Sequence, residues 1–346
     1  MTGKSAGFMH SKRLGWVLAA AVAFVGALLA GHFLWNPQAS PTLPPVQITI
    51  ATNVGYAASC PVIAAKAKGY FADQGIAITI QPQTSGKASM EALLQDKAAL
   101  ATVADIPVMF AGLNRQPVSV IATVFRTEKD HGIVGRKDRG INTLGDLKGK
   151  RIGATLNTSG HFALNALLNR QKLAPSDVTI QNYTPAELAP ALLNGEVDAI
   201  ATWEPILDTS LKELGNNGTA FYGQDVYTSL YNIAGKRDYI TGNPELIKKV
   251  LHALSRGTRL CSEAPEEART LLAAETKSDP AKMKAAWSSY RFNLTLDQGL
   301  IMALEDEARW AMKNNLTSAT EMPNYLDYIY RDGLEAIAPT AVTIIH

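Results

Sequence analysis

Two stretches of the sequence place groups that recognise charge where a strand gives way to a helix. Lys148–Phe162 reads Lys-Gly-Lys-Arg-Ile-Gly-Ala-Thr-Leu-Asn-Thr-Ser-Gly-His-Phe, an apolar strand over 151–156 followed by a turn. The helix after it carries Leu164, Leu167 and Leu168 on one face. Thr158 or Ser159 suits its N-cap, and Gly160 lets a ligand approach the backbone closely. A helix start has free N–H groups and a partial positive charge, so it favours an anion, although an ordinary capped helix reads the same way. The second stretch is a buried strand over 197–202 that ends in Trp203-Glu204-Pro205. Glu204 is a poor capping residue beside an aromatic, which suits recognition of an amine or a protonated ring nitrogen. Trp203 suits stacking on a ligand or packing between lobes.

Matching positions occur earlier in the chain. Tyr56 and Ser59 sit in a loop that leads into a helix, with Ser59 or Cys60 as its cap and Pro61 in its first turn. Thr84-Ser85-Gly86 turns a strand into a helix. Asp105 follows the strand over 99–103 and reads either as a helix cap or as a cleft-facing acid. His161 lies in an accessible first helical turn, while His131 is a weaker candidate in another strand-end loop. The candidate ligand-binding set is therefore Tyr56, Ser59, Ser85, Gly86, Asp105, Thr158, Ser159, His161, Trp203 and Glu204. No catalytic residue, metal ligand or cofactor is assigned. The sequence has no His-Glu-x-x-His, Cys-x-x-Cys, Gly-x-Ser-x-Gly or Gly-x-Gly-x-x-Gly. Gly145–Lys150 falls one residue short of a phosphate-binding loop and has Arg151 where a magnesium-holding Ser or Thr belongs.

These groups must be carried by a folded body. The chain has 346 residues, 47% of them hydrophobic and 18% charged, enough for two lobes with substantial cores. Net charge is +2, and Lys4, Lys12 and Arg13 stand in an N-terminal region without Asp or Glu. The remainder is close to neutral, which argues against nucleic acid as a partner. Lys12 and Arg13 precede an apolar run, Leu14–Trp35, long enough as a helix to span roughly 30 Å of membrane. The expected organisation is a cytoplasmic basic flank (1–13), a membrane anchor or signal (14–35) and a proline-rich linker (36–45). Two lobes follow, one from 46–130 with 231–346 and the other from 131–230. Length favours an uncleaved anchor with the body in the periplasm; His32 occupies the position a lipidated cysteine would take. Cys60 and Cys261 read as two separate small buried residues, since nothing in the sequence brings them together.

Strands alternating with short helices predict mostly parallel sheets flanked by helices, with ligands beyond the carboxyl ends of the strands. Residues 92–107 resemble 191–205, each a helix end, a tight turn, a buried strand and an acid before a proline. Chain crossings between the lobes are expected near Arg126–His131 and Leu230–Ala234. Thr295-Leu296-Asp297-Gln298 reads as a capping box, and Glu305, Asp306 and Glu307 as a solvated helix face.

Several of these pieces resemble the solute-binding proteins of ABC transporters for nitrate, sulfonates and taurine, including relatives for thiamine precursors. The matching residues are Gly69-Tyr70-Phe71 with Gly75, Leu147–Gly153, Thr158-Ser159-Gly160, and Gly195–Ala199 through Trp203-Glu204-Pro205. The resemblance implies a two-lobed α/β periplasmic-binding-protein clamshell (type II), with ligand contacts at Thr158-Ser159 and Trp203-Glu204. It implies a small-molecule ligand and an inner-membrane ABC permease as partners. A membrane-anchored sensing module with a signalling partner is the alternative. A third reading, an enzyme like the thiamine-pyrimidine synthases, lacks a placeable cofactor lysine and histidine cluster.

Overall fold

The computed structural model describes residues 44–277 and 280–345. No helix among the described residues is long and apolar enough to cross a membrane. The apolar run expected to anchor the chain, residues 14–35, lies outside the described residues.

Two sheets organise the compact unit Pro45–His346. The first contains β1 (Val46–Thr52), β2 (Ile76–Pro82), β3 (Leu100–Ala104), β4 (Val118–Thr127), β10 (Ser229–Lys236), β11 (Arg291–Asp297) and β12 (Val342–Thr343), in the order β12-β11-β4-β10-β3-β1-β2. The second contains β5 (His131–Arg136), β6 (Arg151–Ala154), β7 (Thr179–Asn182), β8 (Ala199–Trp203) and β9 (Gly218–Tyr222), in the order β7-β6-β8-β5-β9. The helices that matter for the site are α1 (Cys60–Ala67), α2 (Gly86–Leu94), α3 (Asp105–Leu113), α4 (Ser159–Arg170), α5 (Pro185–Leu193), α6 (Ile206–Leu214), α7 (Pro244–Glu263) and α8 (Gln298–Lys313). Period-two alternation explains how the second sheet buries both faces: Ile133 joins one apolar cluster and its neighbour Val134 the other.

The sheets are mixed, which corrects the expectation of mostly parallel ones. β1 lies parallel to β2 and β3, and β6 parallel to β7 and β8. β10 is antiparallel to β3 and β4, and β5 antiparallel to β8 and β9. The physical reason is the crossing. A strand made locally through a helix ends at the cleft, whereas β5 and β10 arrive from the other sheet, start at the cleft and run away from it. The first crossing, at 128–130, falls where the sequence placed it. The second lies at 223–228, ahead of Leu230–Ala234; that apolar run is instead a buried part of β10.

The two similar segments do form the same unit. α2 leads through a turn to β3 and α3, and α5 leads through a turn to β8 and α6. At the equivalent turn position Asp96 has φ 59° and Gly195 φ 75°, so both turns use the left-handed region.

Three further expectations are overturned. Cys60 and Cys261 form a disulfide with Cα atoms 6.2 Å apart, because α1 packs along α7. Gly257 permits that approach: a β-carbon there would stand 2.2 Å from the Pro61 carbonyl oxygen. The cap of α8 is Asp297, which accepts the Gly299 N–H at 3.0 Å, while Thr295 belongs to β11. Glu307 is only 1% exposed, so the acidic run on α8 is not uniformly solvated; the helix turns this carboxyl inward toward Asp105.

Candidate functional site

Six of the ten candidate residues converge on one inner cleft between the sheets. Tyr56, Ser85, Gly86, Thr158, Ser159 and Trp203 line it, together with Asn53, Lys87, His131, Ser229 and Tyr231. Two helix starts deliver four of them. Ser85 caps α2, its side chain accepting the Ala88 N–H at 3.1 Å. Thr158 stands at the N-cap of α4, but its hydroxyl donates to the Thr155 carbonyl at 2.7 Å instead of capping. Each helix start presents its first N–H groups and a partial positive charge. Lys87 spans the gap, its Nζ 3.4 Å from the Leu156 carbonyl oxygen.

Aromatic side chains form the walls. Tyr231 meets Tyr56 edge-on at 5.2 Å, and Trp203 lies 6.2 Å from the His131 ring. The Tyr56 hydroxyl donates to Asp130, whose other oxygen lies 2.7 Å from Nδ1 of His131. Burial and the Asp130 carboxylate together push the Tyr56 hydroxyl well above its ordinary pKa, so it stays a donor. The cleft volume is about 20 Å³, space for roughly one water. A solute enters only if the sheets separate.

The other four candidates lie outside this cleft. Ser59 is fully buried beneath it, donating to the Asn53 carbonyl and accepting from Thr52 at 2.9 Å. Its hydrogen bonds hold the Asn53 loop. Asp105 is also fully buried and accepts the Tyr227 hydroxyl at 2.6 Å and the Leu230 N–H at 3.0 Å. It ties the start of α3 to the second crossing. Burial raises its pKa, and those hydrogen bonds oppose the rise. His161 packs edge-on against Trp310 of α8 at 5.2 Å, and burial pushes its pKa down to about 4.

Glu204 faces a second, outer cavity of about 540 Å³, a volume in the range of small-ligand sites. Neighbouring residues fall one on each cavity, Tyr56 and Trp203 inside, Ala57 and Glu204 outside, so the two adjoin. Contrary to its reading as a poor cap, Glu204 accepts the Asp208 N–H at 3.0 Å near the start of α6. Its other oxygen accepts the Tyr222 hydroxyl at 2.9 Å. Burial raises its pKa, and these two bonds oppose the rise. Two bonds leave acceptor capacity on the carboxylate. Arg126, paired with Asp297, lines the same cavity together with Lys129 and Arg291, and Asp208 on its wall is paired with Lys212.

The sequence reading ranked His131 as a weaker candidate and missed Asn53, Lys87, Ser229 and Tyr231. His131 gave a signal, a histidine beside a strand-end loop. Ser229 and Tyr231 sit in a strand that starts at the cleft, where a pattern of local strand–helix units assigns no site.

A family model described as NMT1/THI5 like matches residues 57–268. An Escherichia coli (strain K12) protein named for binding aliphatic sulfonates is 27% identical over 207 residues, 60% of this chain and 64% of that protein. The 4-amino-5-hydroxymethyl-2-methylpyrimidine phosphate synthase of Schizosaccharomyces pombe (strain 972 / ATCC 24843) is 30% identical over 138 residues, 40% of this chain and 39% of that enzyme. The chain spans about half the length of the curated relatives it matches. Among solved structures, the alkanesulfonate-binding protein SsuA from Xanthomonas axonopodis pv. citri bound to MOPS matches with a TM-score of 0.72 at 22% identity, over 84% of this chain and 99% of its own. The fold is thus the two-lobed α/β fold of periplasmic binding proteins. The family match takes in the whole second sheet, part of the first and more than half of the residues, and the chain belongs to the NMT1/THI5-like family.

Proposed function

We propose that this chain is the solute-binding component of an ABC importer, which holds a small charged organic molecule between its lobes and delivers it to an inner-membrane permease. It works in the periplasm, tethered by the helix predicted at 14–35. The disulfide supports an oxidising compartment. The observation that carries the reading is the convergence of two helix starts from different sheets, α2 and α4, on one aromatic-walled cleft. The part of the chain around the first sheet, 44–127 with 229–345, forms one lobe and 131–222 the other, hinged at the crossings.

The solute has two kinds of group. The helix starts take a sulfonate, carboxylate or similar acid. Glu204 takes an amine or protonated ring nitrogen in the outer cavity, because it is a buried carboxylate with no cation hydrogen-bonded to it among the described residues. A thermal-shift screen of Pro45–His346 with alkanesulfonates, taurine, aminopyrimidines and nitrate tests this, since a solute bound only by the folded state raises the midpoint. Taurine is expected to bind more tightly than ethanesulfonate. Glu204→Gln should weaken taurine by about 1.5–3 kcal/mol and leave ethanesulfonate nearly unchanged. A response to nitrate alone, or equal taurine affinity in Glu204→Gln and the parent, would contradict the assignment.

A further inference from the structure

Two hydroxyls on β10 make no hydrogen bond of ordinary geometry among the described residues. Ser229 is 1% exposed and Tyr231 2%, and both line the inner cleft from alternate positions of one strand face. Among the described residues the Ser229 Oγ has no hydrogen-bond partner, and the Tyr231 hydroxyl makes no bond of ordinary geometry, although it interacts with the Thr102 side chain, which is itself bonded to Thr52. Their neighbours differ. Tyr56 is bonded to Asp130, Ser85 to the Ala88 N–H, and Thr158 to the Thr155 carbonyl. A buried hydroxyl without a partner destabilises the protein that carries it, so two together on a cleft wall point to a ligand that completes them.

Their surroundings say what that ligand group is. Tyr231 is wedged by Tyr56 at 5.2 Å and lies against the first residue of α2; a β-carbon on Gly86 would stand 3.3 Å from its ring and 3.4 Å from its hydroxyl oxygen. The hydroxyl is therefore held by packing beside the free N–H groups of that helix start. Lys87 lines the same cleft, and no Asp or Glu does. Of the acids nearby, Asp130 is taken up by Tyr56 and His131, and Asp105 by Tyr227 and the Leu230 N–H. Donors, a helix start and a cation together select a group that only accepts.

We propose that Ser229 and Tyr231 donate hydrogen bonds to the oxyanion group of the solute, held in the inner cleft beside the starts of α2 and α4. The proposal rests on the reading of this cleft as the solute site and names two of its contacts. Ser229 directly follows the second crossing, so the strand that holds the anion is also the one that carries the chain back between lobes.

The test uses the full chain with Ser229→Ala, Tyr231→Phe and the double substitution, titrated calorimetrically with ethanesulfonate. Without solute, the thermal midpoint of each variant should equal or exceed that of the parent, because an unpaired group is removed. Ethanesulfonate affinity should fall about tenfold or more in the double variant, the loss of hydrogen bonds to a charged group. Parental affinity in the double variant would overturn the two contacts and leave the solute-binding reading intact. A midpoint several degrees lower in Tyr231→Phe without solute would also overturn them, because the hydroxyl would then be structural. If the parent binds uncharged solutes and no sulfonate or carboxylate, both the contacts and the reading of the cleft fail together.

Discussion

Replacing Cys60 and Cys261 together by alanine will lower the free energy of unfolding by about 2–5 kcal/mol, the typical effect of removing a native disulfide. The bond closes a very long loop, its partners separated by 201 positions in the sequence. In the chain-entropy picture a loop of that length restrains the unfolded chain by about 5 kcal/mol, the upper end of the range. Both cysteines are fully buried where α1 packs on α7, so the alanines also leave unfilled space between the helices. Gly257 already sets the helices at close backbone contact there, and little collapse is available to fill it. Denaturant unfolding of parent and variant measures the difference. A reductant should destabilise the parent and leave the double variant unchanged. A difference below about 1 kcal/mol would mean that the link adds little to the packing around it.

The second large effect is pH dependence through His161. Burial holds its pKa at about 4 in the folded protein, against 6.5 for the free side chain. Above pH 6.5 the ring is neutral in both states and contributes no difference. As pH falls from 6.5 toward 4, the unfolded chain takes up the proton and the folded protein does not, so stability is lost with acidification. The full shift corresponds to a loss on the order of 3 kcal/mol by pH 4. Raised carboxyl pKa values at Asp105, Glu204 and Glu307 act in the opposite direction. They are common to parent and His161→Asn, so the comparison isolates the imidazole. The variant should lose less stability than the parent between pH 7 and pH 4.5; parallel curves would mean that the ring is protonated in the folded state.

The part of the candidate cleft built from local signals was legible in the sequence. Ser85, Thr158 and Ser159 are found from cap chemistry at helix starts, and Trp203 from its place at a strand end. The two lobes followed from the repeated helix–turn–strand unit, whose turn residues Asp96 and Gly195 adopt the same backbone conformation. Long-range facts were not legible. The Cys60–Cys261 bond depends on α1 meeting α7 across most of the chain. Glu307 looked solvated because its neighbours on α8 are acidic, yet the helix turns it toward Asp105. Ser59 and Asp105 have the chemistry of ligand contacts, but the fold uses their hydrogen bonds for its own loops. Ser229 and Tyr231 belong to a strand whose direction is set by the crossing, which no local pattern encodes.

The central claim is that two lobes close on a solute at the inner cleft. At about 20 Å³ the inner cleft of this structure is narrower than a bound solute requires. Small-angle scattering of Pro45–His346, alone and with a saturating solute from the thermal screen, tests the claim most directly. Without solute the radius of gyration should exceed the value calculated from this structure, and saturation should bring it down toward that value as the lobes turn about the crossings at 128–130 and 223–228. An unchanged radius of gyration on saturation would contradict the account and place solute binding in a preformed pocket.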